Sequence, residues 1–160
     1  MRKIHAPALL AAAVLLAFAA CDDDDPTGPD EEFSATLTVG AEVPPVTVVT
    51  NASGSADFEF DDGEMSYTID VANITGVTAS HIHGPAPAGE PAGVLVTLFV
   101  GPQGGTGAVN GQLESGSFTE SASPVSMDSL RVLMRSGQAY VNVHTDENPD
   151  GEIRGQLEEE

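Results

Sequence analysis

The sequence predicts an all-β domain, an antiparallel sandwich or barrel that carries one short helix. The first observation is that short segments from Phe33 onward alternate apolar and polar residues, the period-two pattern of a half-buried strand. The second is that turn-forming residues recur roughly every 8–12 positions, as in antiparallel β-proteins. The third is that only one segment, near residue 130, has the spacing of an amphipathic helix. Strands joined by such short connections favour an antiparallel sheet.

The predicted strands share either this alternation or a short apolar run. They cover residues 33–39, 55–60, 65–72, 77–82, 93–100, 111–119, 140–144 and 153–157. Residues 93–100 are almost wholly apolar, so this strand is predicted to be buried on both faces.

One helix is predicted after residue 123. Ser123 is expected to cap its N-terminus, with Pro124 at the first helical position. Gly137 is expected to end it, because glycine readily adopts the left-handed conformation found after a helix. The apolar stripe that would face the core is formed by Met127, Leu130, Val132 or Leu133, and Met134.

The N-terminus is predicted to direct export and lipidation. Residues 1–20 combine two basic residues with a short apolar run, which is typical of a signal peptide. Residues 18–21, Phe-Ala-Ala-Cys, resemble a bacterial lipobox, and Cys21 is the only cysteine in the chain. Cleavage before Cys21 and its acylation would anchor the protein to a membrane of the bacterial cell envelope. An ordinary signal peptide and an uncleaved anchor are the alternatives.

After Cys21 the chain is strongly acidic. Residues 21–32 are rich in aspartate and predict an extended tether, and residues 33–160 form the folded domain. The whole sequence has 25 acidic and 5 basic residues, with a formal net charge of −20. Nucleic acid is therefore excluded as a partner, because binding to phosphates requires a basic surface. Cations and basic proteins would instead be attracted.

Three histidines form the strongest candidate site. His81 and His83 are two residues apart in a predicted strand, so they share a face, and His144 belongs to a later strand. Three imidazole nitrogens suit copper or zinc. Tyr140 and Asn142 should lie on the same face as His144 and support the ligands from behind. The alternative is that the imidazoles only form hydrogen bonds with loops.

Two further features have weaker functional interpretations. Asp146, Asn148 and Asp150 match the first half of a calcium-binding loop, but the twelfth position is Leu157 instead of glutamate. A tight Asp-Gly turn between two strands is therefore preferred. Arg154 should point away from the core and form an ion pair at the acidic surface, and the alternative is that it steers anions to the histidine site.

Five short segments resemble the CHRD domain, which is named after chordin. They are residues 40–45 (Gly-Ala-Glu-Val-Pro-Pro), residues 81–86 (His-Ile-His-Gly-Pro-Ala), residues 140–145 (Tyr-Val-Asn-Val-His-Thr), residues 148–149 (Asn-Pro) and residues 151–157 (Gly-Glu-Ile-Arg-Gly-Gln-Leu). The resemblance covers nearly all of residues 33–157. It implies an immunoglobulin-like Greek-key β-sandwich or barrel similar to that of copper/zinc superoxide dismutase.

The chain resembles the copper/zinc superoxide dismutases only in part. His81 and His83 are similar to the dismutase strand that carries two copper ligands, and His144 is similar to a third ligand. The bridging and zinc histidines have no counterpart, so dismutase activity is not expected. We expect a non-enzymatic, lipid-anchored binding or interaction module with an unidentified extracytoplasmic protein partner. The alternative is a copper- or zinc-binding protein with weak redox activity.

Overall fold

A computed structural model describes residues 31–123 and 125–160. The predicted signal peptide, Cys21 and most of the predicted tether lie outside these residues. The helix α1 spans Met127–Arg135, and no helix in the described part of the chain is long and apolar enough to cross a membrane. The strands are β1 (Glu31–Thr38), β2 (Ser53–Asp61), β3 (Glu64–Ile74), β4 (Val77–His83), β5 (Val94–Val100), β6 (Val109–Thr119), β7 (Tyr140–Thr145), β8 (Ile153–Gln156) and β9 (Glu158–Glu159).

The strands form one antiparallel sheet that curls into a nearly closed barrel. Their order is β5-β4-β7-β8-β1-β2-β3-β6, and β9 pairs with β1. The neighbours β4 and β7, like β3 and β6, are distant in sequence, as in a Greek-key arrangement. The prediction of an all-β fold with one short helix is confirmed. Among the described residues the sheet begins at β5 and ends at β6, so these two strands are its edges.

Alternating side chains fill the barrel. In β2, Ala56, Phe58 and Phe60 are buried while their neighbours are more exposed, as the period-two pattern predicts. The helix adds buried side chains to the same core. The largest side chains of this core include Phe33, Leu37, Phe58, Met65, Ile69, Ile82, Leu130, Met134, Ile153 and Leu157.

The prediction for the fifth strand was wrong about its burial. Only Val96 and Leu98 of β5 are buried, whereas Val94 is 51% and Val100 is 76% exposed. The reason is topological: within the described part of the chain β5 pairs with β4 alone and lies at an edge of the sheet. A continuous apolar run therefore marks a free edge here and not a central strand.

The start of the helix also differs from the prediction. Ser126 is the N-cap, and its hydroxyl accepts a hydrogen bond from the N–H of Ser129 at 3.2 Å. Ser123 instead ends a preceding 3₁₀ turn. Gly137 follows the helix at φ +63°, as predicted. Of the two alternatives for the apolar stripe, Leu133 packs against the core while Val132 is exposed.

Candidate metal centre

The pairing of β4 with β7 brings the three histidines together on the outer face of the barrel. His81 is opposite Asn142, and His83 is opposite Tyr140 in the antiparallel register. Ile82 points the other way and is fully buried in the core. The spacing of two residues thus gives His81 and His83 a common face. His144 belongs to the same face of β7.

The structure brings the three rings into direct proximity. The ring centroid of His81 is 5.5 Å from that of His83 and 4.9 Å from that of His144, and the last two are 5.5 Å apart. One ring nitrogen of each residue lies within 4.8 Å of the others. This is the one group of three or more metal-ligating side chains found within the described residues.

Hydrogen bonds fix which nitrogens face each other. Nδ1 of His83 lies 3.0 Å from the carbonyl of Ala92, and Nδ1 of His144 lies 3.0 Å from the carbonyl of Pro149. A carbonyl only accepts, so each Nδ1 must carry the proton, and each neutral ring then has a lone pair on Nε2. These two Nε2 atoms are 3.3 Å apart. Two lone pairs at this distance repel each other unless a proton or a metal ion lies between them.

The His81 ring differs from the other two in its hydrogen bonding. Nδ1 of His81 is buried and has no hydrogen-bond partner in the described part of the chain. Burial and the two neighbouring histidines lower the pKa of His81 to about 4. Burial also lowers the pKa values of His83 and His144. All three rings are therefore neutral at pH 7, the protonation state that binds a metal.

Tyr140 and Asn142 have different environments. The Tyr140 ring stacks on His83 with centroids 5.1 Å apart, and its hydroxyl accepts a hydrogen bond from the N–H of Ala92 at 2.9 Å. Tyr140 thus braces both His83 and the loop that holds it. Asn142 lies beside His81, but its amide donates to Glu42 and to the carbonyl of Asp150, both at 3.4 Å.

The prediction that Arg154 lies at the surface was wrong. Arg154 is only 2% exposed, and no ion pair among the described residues involves it. The loop between β4 and β5 covers this face of β8, and Arg154 donates to the carbonyl of Glu90 at 2.9 Å. Its guanidinium lies 3.5 Å from the ring centroid of Tyr140. Arg154, Tyr140 and His83 therefore form one continuous stack.

Glu42 is a buried residue for which sequence analysis predicted no role. It is 4% exposed, and burial raises its pKa to about 7, although the nearby charge of Arg154 opposes the shift. Gly151 makes room for it: a Cβ there would lie 2.4 Å from the Asn142 amide nitrogen and 2.6 Å from Glu42 Oε2. The only signal in the sequence was the position of Glu42 within residues 40–45.

The loop joining β7 to β8 is longer than a two-residue turn. Residues 146–152 connect the strands, and the N–H of Gly151 donates to the carbonyl of Asn148 at 3.1 Å, which forms a turn inside the loop. The Asn148 amide is buried and bonded to the backbone of Val48 at 3.0 Å through both its oxygen and its nitrogen. Asp146 and Asp150 are exposed.

Comparison with known proteins supports the family that the motifs indicated. The CHRD domain matches residues 33–157, which include all three candidate histidines, Glu42 and Arg154. No curated protein and no solved structure is significantly similar to the chain. CHRD domains are extracellular, which agrees with the predicted export. Because the match covers most of the chain, the protein belongs to the CHRD domain family.

Proposed function

We propose that this protein is an extracytoplasmic binding module that holds a copper or zinc ion through His81, His83 and His144. The observation that carries the proposal is the 3.3 Å separation of the Nε2 atoms of His83 and His144. Two imidazole nitrogens bound at about 2.0–2.1 Å to a tetrahedral ion lie about 3.3–3.4 Å apart. The separation that is unfavourable between two lone pairs is therefore suitable for two ligands of one ion.

The surroundings of the rings favour a cation as well. The Nδ1–H groups of His83 and His144 both donate to carbonyls, which fixes the tautomer and the ring orientation in the manner of metal-bound histidines. Neutral imidazoles suit copper and zinc, and three protein ligands leave a fourth position open. The net charge of −20 also attracts cations and repels small anions. We therefore favour metal binding over catalysis on an anionic substrate.

Metal retention tests this proposal. The purified chain would be loaded with copper or zinc, dialysed against excess calcium, and measured by elemental analysis. Calcium competes for carboxylates but poorly for imidazoles, so one equivalent should remain. The His81→Ala/His83→Ala/His144→Ala variant should retain none. Asp146→Asn/Asp150→Asn is the matched control, because it removes two exposed carboxylates, and it should still retain one equivalent. Metal retained equally by all three proteins would refute the proposal.

We also propose that the module is held at the cell envelope by acylated Cys21. The support is the apolar segment and the lipobox-like residues 18–21, together with the extracellular nature of CHRD domains. The acidic residues that follow would then act as a tether. Cells grown with radioactive palmitate should label the wild-type chain and not Cys21→Ser. Equal labelling of both proteins, or of neither, would contradict the anchor.

A further inference from the structure

The barrel has an open seam between its two edge strands. Among the described residues, β5 pairs only with β4 and β6 only with β3, so no strand pairing closes the sheet. A side-chain hydrogen bond crosses the seam, from the hydroxyl of Tyr67 to the carbonyl of Leu98 at 2.7 Å. Beside this bond the seam widens into a cleft of about 340 Å³. The cleft is lined by Tyr67, Val94, Leu95, Val96, Thr97, Ser117 and Phe118.

The edge formed by β5 lacks two of the usual protections of a free strand, charged residues and proline, although its pairing with β4 has two register irregularities. Natural edges carry charges or prolines that prevent pairing with another chain. The sequence of β5 is Val-Leu-Val-Thr-Leu-Phe-Val, with neither a charge nor a proline, and Val94 and Val100 are largely exposed. An apolar strand with an unpaired edge is suited to strand addition, in which an extended peptide continues the sheet.

The charges around the seam indicate what kind of segment would fit. Asp57, Glu59 and Glu64 line a neighbouring depression that shares Tyr67 and Ser117 with the cleft. Glu114 is close enough to Tyr67 that its charge adds to burial in raising the pKa of the phenol. The acidic residues of this neighbouring depression, together with Glu114 of β6, complement a segment with apolar residues flanked by basic ones.

The rest of the described surface carries little positive charge. Arg131 and Arg135 both form ion pairs with Glu31, and Arg154 is buried. There is no lysine after residue 3. A second copy of this acidic chain would therefore be repelled from the seam, whereas a basic polypeptide would be attracted.

We propose that β5 and the adjoining cleft bind an extended segment of a partner protein, apolar at alternate positions and flanked by lysine or arginine. Its backbone would pair with the free edge of β5, and one of its apolar side chains would enter the cleft beside Phe118. None of the three histidines lines this cleft, although His83 is paired with Val94 in the sheet.

The test uses a synthetic peptide, Lys-Val-Thr-Val-Lys-Val-Thr-Val-Lys, with blocked ends and a fluorescent label. Its binding to the purified full-length chain would be followed by fluorescence anisotropy, and amide hydrogen exchange would locate the contact. We expect saturable binding and slower exchange in residues 94–100. An analogue with alternate backbone nitrogens methylated, and another with glutamate in place of lysine, should both bind at least about tenfold more weakly.

Two variants distinguish an effect of a cation at the cleft from an effect of the change in net charge. Val94→Lys adds a cation at the cleft and should weaken peptide binding about tenfold. Val49→Lys makes the same change at an 81% exposed site in the loop between β1 and β2, and it should bind like the wild type. Both sites are exposed, so folding should be retained, as checked by circular dichroism.

Any one of the following results would overturn the proposal. They are absence of binding at millimolar peptide, exchange protection confined to other strands, equal binding of the methylated peptide, and equal weakening by Val49→Lys. Self-association of the chain through β5, seen by sedimentation and removed by Val94→Lys, would also overturn it, since the occupant would then be a second copy.

Discussion

Replacement of Glu42 by glutamine should stabilise the protein, and only at neutral and alkaline pH. Burial raises the pKa of the Glu42 carboxyl from 4.5 to about 7 in the folded state. The folded protein therefore holds a proton that the unfolded chain has released, and its stability falls as pH rises between these two values. Each pKa unit corresponds to about 1.4 kcal/mol, so ionised Glu42 costs about 3 kcal/mol above pH 7.

Glu42→Gln mimics the protonated carboxyl, and its amide oxygen can still accept from Asn142. Urea unfolding between pH 4 and pH 8.5, with a chelator present, should give similar free energies for both proteins at the acidic end. Above pH 7 the variant should be more stable by about 1–3 kcal/mol. The lower values apply if the folded wild-type protein relaxes around the ionised Glu42. Glu147→Gln is the control for loss of one exposed acidic charge.

A variant less stable than the wild type above pH 7 would contradict this prediction. It would mean that the attraction between ionised Glu42 and buried Arg154 outweighs the desolvation of the carboxylate. A constant difference across the whole pH range would show that the substitution acts through packing and not through ionisation.

Three further predictions can be checked by urea unfolding. Ser126→Ala should cost about 1 kcal/mol, because it removes the helix N-cap. Gly151→Ala should lower the free energy of unfolding by about 2 kcal/mol or more, because the φ of +139° disfavours alanine and the new Cβ would clash with the Asn142 amide. Gly107→Ala is the control: the space around Gly107 is open, so this change should cost far less. Arg154→Lys should cost about 2 kcal/mol, because an ammonium cannot reproduce both the hydrogen bond to the loop and the stacking on the neighbouring tyrosine.

Local patterns predicted the strands well where one face is buried and the other is not. The alternation in residues 55–60 and 65–72 reports directly on the two faces of β2 and β3. The spacing of His81 and His83 likewise fixed their common face, since it depends only on the strand period. Proximity of these two residues to His144 depends on the pairing of β4 with β7, and only the resemblance to a known family indicated that pairing.

Other features depend on packing that a single sequence does not reveal. An apolar run has the same appearance in a central strand and at an unprotected edge, so the exposure of Val94 and Val100 could not be predicted. Arg154 alternates with inward-facing residues as a surface residue would, but a loop from a distant part of the chain covers it. Ser123 and Ser126 are both reasonable helix caps by composition, and the preceding 3₁₀ turn decides between them.

The most direct test of the metal centre is X-ray absorption spectroscopy of the zinc-loaded protein. We expect about three nitrogen neighbours at about 2.0–2.1 Å, with the multiple-scattering pattern of imidazole rings. His144→Gln should lose one imidazole from that pattern. A shell of oxygen atoms without imidazole scattering would contradict the three-histidine site, because the ion would then be bound by carboxylates of the acidic surface and not by His81, His83 and His144.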